Sequence, residues 1–285
     1  TFRVENSVPQ LWNPADGSID DQLVFNSKRG GINVPIQLPP GGSVFIVFSK
    51  GVALSGLQVL EKINVSNNNN LPFEKVLAVN DKSAIIEVWQ NGTYKLTEQD
   101  GIQLQATVNN ISVPIVIDGE WEVKFDQKWG APAEIVFPEL ISWTEHNNGG
   151  IKYYSGKGTY TKTITVPDDW FGEGQSIYID LGKVGEVAEV YINGKSTGVL
   201  WKPPFRTDIS KLVKPGANEL KIEVMNLWIN RLTGDMNLPE DKRFTKTNIR
   251  SDGGTWLANY SEWYVEPAGL LGPVRLFTSK EITVK

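Results

Sequence analysis

The sequence predicts an all-β protein made of two β-sandwich domains, and three observations support this. The chain has 285 residues, which corresponds to about two domains of ordinary size. It contains 27 Gly and 16 Pro, and Asn-Gly and Asp-Gly pairs recur, as is typical of chains with many short strands and turns. Apolar and polar residues alternate over short runs, whereas helical periodicity is almost absent.

In the first predicted domain, residues 1–115, short apolar and β-branched runs follow one another closely. We predict strands at residues 2–5, 22–26, 33–37, 43–48, 58–63, 83–90, 93–96, 102–108 and 113–117. Asn91 and Gly92 lie between two of these runs. Because both residue types tolerate positive φ, the pair predicts a tight hairpin turn.

The second predicted domain, residues 116–285, has the clearest alternation. We predict strands at residues 120–125, 158–166, 176–181, 188–192, 219–226 and 274–278. Trp121, Val123 and Phe125 share one face of the first of these strands. Asn193-Gly194 predicts a second hairpin turn. The helix-like pieces that we expect are single turns, such as residues 207–212.

Composition excludes several classes of function. The net charge is −5 and no basic cluster is present, which argues against nucleic acid as a partner. No run is long and apolar enough for membrane insertion. Cys is absent and His146 is the single histidine, so we predict no metal site and no cofactor. We interpret His146 as a solvated loop residue, and we predict no catalytic residue.

Several motifs together resemble the C-terminal β-sandwich region of glycoside hydrolase family 106, the α-L-rhamnosidases. In the second domain they include YSGKGTY at 154–160, VYINGKSTG at 190–198, PGANELKIEV at 215–224, NLWINRLTGD at 226–235 and GLLGPVRL at 269–276. The run from the Asn-Gly hairpin to the alternating strand is also similar to the family-2 sugar-binding domain. In the first domain, QLWNPADG at 10–17 and GSVFIVF at 42–48 are similar to the sandwich that follows the catalytic barrel of family 106.

The resemblance implies that the second domain is a galactose-binding-like jelly roll and that the first is a β-sandwich, with Thr1 suggesting a piece of a longer chain. Family 106 carries its catalytic carboxylates in a (β/α)8 barrel that this chain lacks, since such a barrel needs about 250 residues.

We therefore expect a non-catalytic accessory region of an α-L-rhamnoside hydrolase, periplasmic or secreted. Its partners would be carbohydrate or the barrel of its own parent chain. A structural calcium ion is compatible with such jelly rolls. The alternative is a stand-alone carbohydrate-binding module.

An aromatic stretch rich in Gly, Ser and Asn is the first candidate for carbohydrate binding, because sugar rings stack on aromatic faces in loops of β-sandwiches. The candidate residues in this stretch are Trp256, Tyr260, Glu262, Trp263 and Tyr264. In the alternative interpretation, these rings pack against the barrel or the first domain.

Two further residues are candidates for carbohydrate binding. Trp201 precedes Pro203 in a loop, where we expect it to be exposed. Arg231 could bind a sugar through its guanidinium group, although its spacing of four residues from Asp235 favours a structural ion pair. Trp228 alternates with apolar neighbours just after a predicted strand and is interpreted as a core residue.

Overall fold

The computed structural model describes residues 1–39, 41–50, 57–63, 71–72, 74–80, 82–98, 101–246 and 264–285. It confirms an all-β sandwich fold. The chain forms two compact units: unit 1 comprises Thr1–Val113, Trp170–Ser176 and Thr278–Lys285, and unit 2 comprises Pro114–Asp169 and Ile177–Phe277. The predicted domains, residues 1–115 and 116–285, stay a prediction.

The elements are short, as the density of turn residues predicts. The strands are β1 (Ser7–Trp12), β2 (Ile19–Asp21), β3 (Asn26–Lys28), β4 (Gly31–Asn33), β5 (Phe45–Lys50), β6 (Leu57–Ile63), β7 (Lys75–Asn80), β8 (Ser83–Val88), β9 (Gly92–Glu98), β10 (Gln103–Val108), β11 (Ile115–Val116), β12 (Trp121–Phe125), β13 (Glu134–Phe137), β14 (Lys157–Val166), β15 (Gln175–Asp180), β16 (Lys183–Val184), β17 (Val187–Ile192), β18 (Lys195–Leu200), β19 (Arg206–Asp208), β20 (Gly216–Met225), β21 (Leu270–Gly272) and β22 (Arg275–Val284). The α-helices are α1 (Gly149–Lys152) and α2 (Ile229–Met236).

Unit 1 is built from antiparallel sheets. One has the order β2-β1-β5 and another the order β10-β9-β6, while β8 pairs with β7 on one side and with the end of β22 on the other. The core contains Ile86, Tyr94 and Leu96, together with Val284 from β22. Of the predicted strand at residues 2–5, Phe2 alone pairs, through an isolated bridge to Ile32.

The predicted hairpin at Asn91-Gly92 is wrong. The flanking strands β8 and β9 do not pair with each other, since β8 pairs with β7 and β22 and β9 pairs with β6 and β10. The Asn91 side chain instead acts as a backbone substitute: its Nδ2 donates to the carbonyl of Ile111 at 2.9 Å, and its Oδ1 accepts from the amide of the same residue at 2.8 Å. The turn therefore connects two different sheets.

Unit 2 centres on a six-stranded antiparallel sheet of order β13-β12-β14-β20-β17-β18. The predicted alternation in β12 is confirmed, because Trp121, Val123 and Phe125 are buried while the residues between them are exposed. Tyr160 of β14 lies in the same core, where it accepts a hydrogen bond from Trp143 Nε1 at 2.5 Å. This aromatic core gives the sheet one buried face and leaves the other face polar.

The predicted hairpin at Asn193-Gly194 is confirmed. Both residues adopt positive φ, 51° and 78°, between the paired strands β17 and β18. The Asn193 side chain also reaches the buried Asn218 near the start of β20, to which its Nδ2 donates at 2.8 Å. The turn is therefore fixed both by its own backbone and by a second element.

Two expectations for residues 226–236 need correction. The expectation of single helical turns is wrong here, because α2 runs for eight residues, Ile229–Met236. Trp228, interpreted as a core residue, lies directly before this helix and is 51% exposed. The alternating pattern of β20 ends at Met225, so Trp228 does not continue the strand's inward face.

Candidate functional site

The structure describes part of the predicted carbohydrate-binding set. The residues that lie outside the described part of the chain are Trp256, Tyr260, Glu262 and Trp263. The described members are Tyr264, Trp201 and Arg231, all of unit 2. Helix α2 contains Arg231, and its Thr233 side chain binds the backbone of Tyr264.

Helix α2 holds the chain that follows residues 247–263. Asn230 makes two hydrogen bonds to the backbone of Glu266: its Nδ2 donates to the carbonyl oxygen at 2.8 Å, and its Oδ1 accepts from the amide at 2.7 Å. One turn further on, Thr233 Oγ1 donates to the carbonyl oxygen of Tyr264 at 2.8 Å. Both helix side chains are buried, so these bonds are protected from water.

The same helix holds the chain that precedes residues 247–263. The Asp235 carboxylate accepts hydrogen bonds from the Phe244 amide at 3.2 Å and from the Thr245 amide at 2.7 Å. Thr245 Oγ1 donates to it as well, at 2.6 Å. Helix α2 therefore binds both Phe244–Thr245 and the backbone of Tyr264 and Glu266.

Arg231 forms the predicted ion pair with Asp235. Its Nε lies 3.0 Å from Asp235 Oδ1, and its Nη1 donates to the carbonyl oxygen of Trp129 at 3.2 Å. The residue is 2% exposed, and this burial lowers the pKa of Arg231 below its ordinary value, although the neighbouring Asp235 carboxylate partly offsets the effect. In this position the guanidinium group supports the surrounding structure, and direct sugar binding by Arg231 stays a prediction.

Three aromatic residues are linked to Arg231 directly or through one another, and we call their rings the aromatic cluster (Trp129, Trp228 and Phe244): the Phe244 ring lies on the guanidinium group, the Trp129 carbonyl oxygen accepts a hydrogen bond from it, and the Trp228 ring contacts the Trp129 ring. The rings of Trp129 and Trp228 meet edge to face, with centroids 4.9 Å apart and planes at 79°. The Phe244 ring centroid lies 4.5 Å from Arg231 Cζ, on the cationic group. Trp228 is half-exposed and Phe244 is 42% exposed. The sequence pattern does not predict the cluster, because its three members lie far apart along the chain, at positions 129, 228 and 244.

Trp201 and Tyr264, the other two described candidates for carbohydrate binding, are exposed, unlike Arg231. Trp201, which follows β18, is 56% exposed, as expected, and Lys202 Nζ lies 5.4 Å from its ring centroid. Tyr264 is half-exposed, while its carbonyl group is held by Thr233. Sugar binding by either residue stays a prediction.

A polar groove of about 490 Å³ lies on the outer face of the six-stranded sheet. It is lined by Glu120, Glu122, Lys124, Val136, Thr161, Lys162, Thr163 and Glu219. Lys124 is paired with Glu134 at 2.8 Å, and Lys162 donates to the carbonyl oxygen of Glu120 at 2.6 Å. The lining contains hydrogen-bonding groups but no aromatic side chain, so it lacks the ring face that favours sugar stacking.

The described residues contain neither a cluster of potential metal ligands nor a membrane-spanning helix. Within them, no group of three or more His, Asp and Glu side chains is placed to hold a metal ion. None of their helices has the length and apolar character that a bilayer span requires. His146 is half-buried rather than solvated, because its ring stacks on Phe137 with centroids 5.4 Å apart.

These features define an all-β sandwich protein whose second unit exposes several aromatic rings. Residues 102–246 match the family described as "Glycosyl hydrolases family 2, sugar binding domain". The match covers just over half of the chain, which therefore belongs to this family. It includes Trp201, Arg231 and the whole aromatic cluster.

Two longer proteins are similar to nearly the whole chain. A protein of Formosa agariphila with the name "Putative beta-glucuronidase" is 35% identical over 278 residues, which is 90% of this chain and 23% of that protein. The solved structure of a rhamnosidase from Novosphingobium sp. PP1Y is 30% identical, with a TM-score of 0.65, over 97% of this chain and 21% of that one. The chain thus spans less than a quarter of each.

Proposed function

We propose that this chain is a non-catalytic accessory region of a glycoside hydrolase, which contacts carbohydrate and supports a catalytic barrel in the same parent enzyme. The observation that carries the proposal is the match of residues 102–246 to a sugar-binding domain. The exposed aromatic rings of the same unit provide surfaces of the kind on which sugars stack. A periplasmic or secreted location, where polysaccharides are degraded, is part of the proposal.

For the parent enzyme we propose α-L-rhamnoside hydrolysis, as in glycoside hydrolase family 106. The similarity to the rhamnosidase structure supports this, because it extends through both units of the chain. Hydrolysis of β-glucuronides is a second candidate, favoured by the name of the Formosa agariphila protein. A stand-alone carbohydrate-binding module is the alternative to an accessory region.

Calorimetric titration of the chain tests carbohydrate binding. We expect saturable binding to at least one member of a series comprising L-rhamnose, galactose and pectic oligosaccharides, because half-exposed rings provide faces for sugar C–H groups. The control is the chain unfolded in urea, which should release no saturable heat. The absence of binding by folded protein to the whole series would contradict the carbohydrate-binding part of the proposal.

An activity assay of the same sample tests the non-catalytic part. We expect no release of nitrophenol from nitrophenyl α-L-rhamnoside or nitrophenyl β-D-glucuronide by the purified chain. The parent enzyme should hydrolyse one of the two, and the substrate that it accepts distinguishes the two candidate activities. Turnover by the chain alone would refute the accessory role.

A further inference from the structure

We propose that the aromatic cluster (Trp129, Trp228 and Phe244) is a glycan-stacking site for a neutral pyranose ring. The carbohydrate class of the ligand rests on the proposed function. The position of the site rests on the geometry around Arg231. The sequence pattern indicates none of the three rings as a binding residue.

The rings of Trp228 and Phe244 are held in place while remaining accessible. Trp228 is fixed edge to face on Trp129 and still exposes half of its surface. The Phe244 ring lies on the Arg231 guanidinium group, and the Phe244 amide is bound by Asp235. Since these rings are already ordered, a ligand that stacks on them costs little additional side-chain entropy.

The buried ion pair beside the cluster favours a ligand without charge. Arg231 is paired with Asp235 at 3.0 Å, and both side chains are 3% exposed. The pair is therefore neutralised internally and offers no free guanidinium group to a carboxylate. A site whose accessible surface is aromatic favours the C–H face of an uncharged sugar over an anionic uronate, which would need a charged partner.

The location of the cluster in the chain also supports a carbohydrate ligand. All three rings lie within residues 102–246, the part that matches the sugar-binding domain family. Phe244 also lies three residues before the segment that contains the predicted Trp256 and Trp263. The cluster thus adjoins, along the chain, the stretch in which the sequence independently predicts carbohydrate binding.

Trp228→Ala tests the inference directly. In calorimetric titrations with a neutral galactan oligosaccharide and with L-rhamnose, we expect the variant to lose affinity about tenfold, as the loss of one aromatic stacking partner predicts. Trp228→Phe keeps a ring and should retain most of the affinity. Trp12→Ala is the control, because it removes another exposed tryptophan, in unit 1 and outside every candidate binding set, and should leave the affinity within about twofold.

The outcomes separate this inference from the proposed function. If the unsubstituted chain binds sugar and Trp228→Ala binds it with the same affinity, the glycan-stacking site alone is overturned. If Trp228→Ala instead lost self-association in sedimentation experiments while keeping its sugar affinity, the cluster would be a protein interface and the inference would fall. No binding by the unsubstituted chain would overturn both. Near-ultraviolet circular dichroism establishes that each variant is folded.

Discussion

The ion pair of Arg231 and Asp235 is buried, and it therefore differs in its importance for stability from an exposed ion pair of similar length. Their side chains are nearly inaccessible, and each also contacts neighbouring groups, Trp129 for the arginine and Thr245 for the aspartate. Lys124 and Glu134 form an ion pair of similar length, 2.8 Å, but both side chains are more than half exposed. Removing one partner leaves a desolvated charge in the first pair but a hydrated one in the second.

Asp235→Asn should therefore destabilise the protein by about 3 kcal/mol, the size expected when a buried ion pair loses one partner. The change preserves the shape of the side chain but leaves the Arg231 charge without its counterion. The free energy of unfolding, measured by urea denaturation, gives the result. Glu134→Gln is the control and should not shift the urea midpoint. Equal effects of the two substitutions would contradict the distinction between the pairs.

Among the elements, the Asn-Gly hairpin depends on a residue far from it in sequence. The Asn218 side chain donates to the carbonyl oxygens of Lys214 and Gly216, at 2.7 and 2.9 Å, and accepts from the side-chain Nδ2 of Asn193 in the turn. Asn193 Oδ1 in turn accepts from the Glu219 amide at 3.0 Å. These two asparagines join the β17–β18 turn to the start of β20.

Asn218→Ala should lower the free energy of unfolding by about 2–4 kcal/mol, because it leaves several buried groups without hydrogen-bonding partners. Urea denaturation of the variant measures this change. Asn147, an exposed asparagine of the same unit, provides the control substitution to Ala, for which we expect little change. A loss no larger than that of Asn147→Ala would rule out the proposed role of Asn218.

Local alternation accounts for the elements that the sequence predicts well. In β12 successive residues alternate between the core and solvent, so apolar and polar residue types alternate in the sequence with a period of two. Helix α2 has no such signal, because it contains Gly234 and the polar Asn230 and Thr233, whose partners lie more than thirty residues away. Around Arg231, the sequence predicts the ion pair with Asp235 but not the aromatic cluster (Trp129, Trp228 and Phe244).

Across the whole molecule, buried tyrosines govern the behaviour at alkaline pH. Burial raises the pKa of Tyr94 in unit 1 and of Tyr154 and Tyr160 in unit 2 above the ordinary value for tyrosine. In each case the neutral phenol is the form that fits the folded state. Exposure on unfolding would restore an ordinary pKa, so unfolding becomes more favourable as phenolate forms.

Stability should thus be constant through neutral pH and decline above about pH 10, the ordinary pKa of tyrosine. Ultraviolet absorbance should show phenolate appearing in two stages, the exposed tyrosines first and the buried ones together with loss of the folded circular dichroism signal. A single stage with retained folded signal would mean that the buried phenols ionise in the native state.

The path of the chain through unit 1 limits how this protein can be divided or recombined. Residues 1–113 are completed by residues 170–176 and by residues 278–285, whose strand pairs with β8 and places Val284 in the core. A gene fragment that ends after the first hundred or so codons would encode an unfinished sheet. Recombination between homologues would have to exchange the two termini together, so the beginning and the end of this chain are expected to share one evolutionary history.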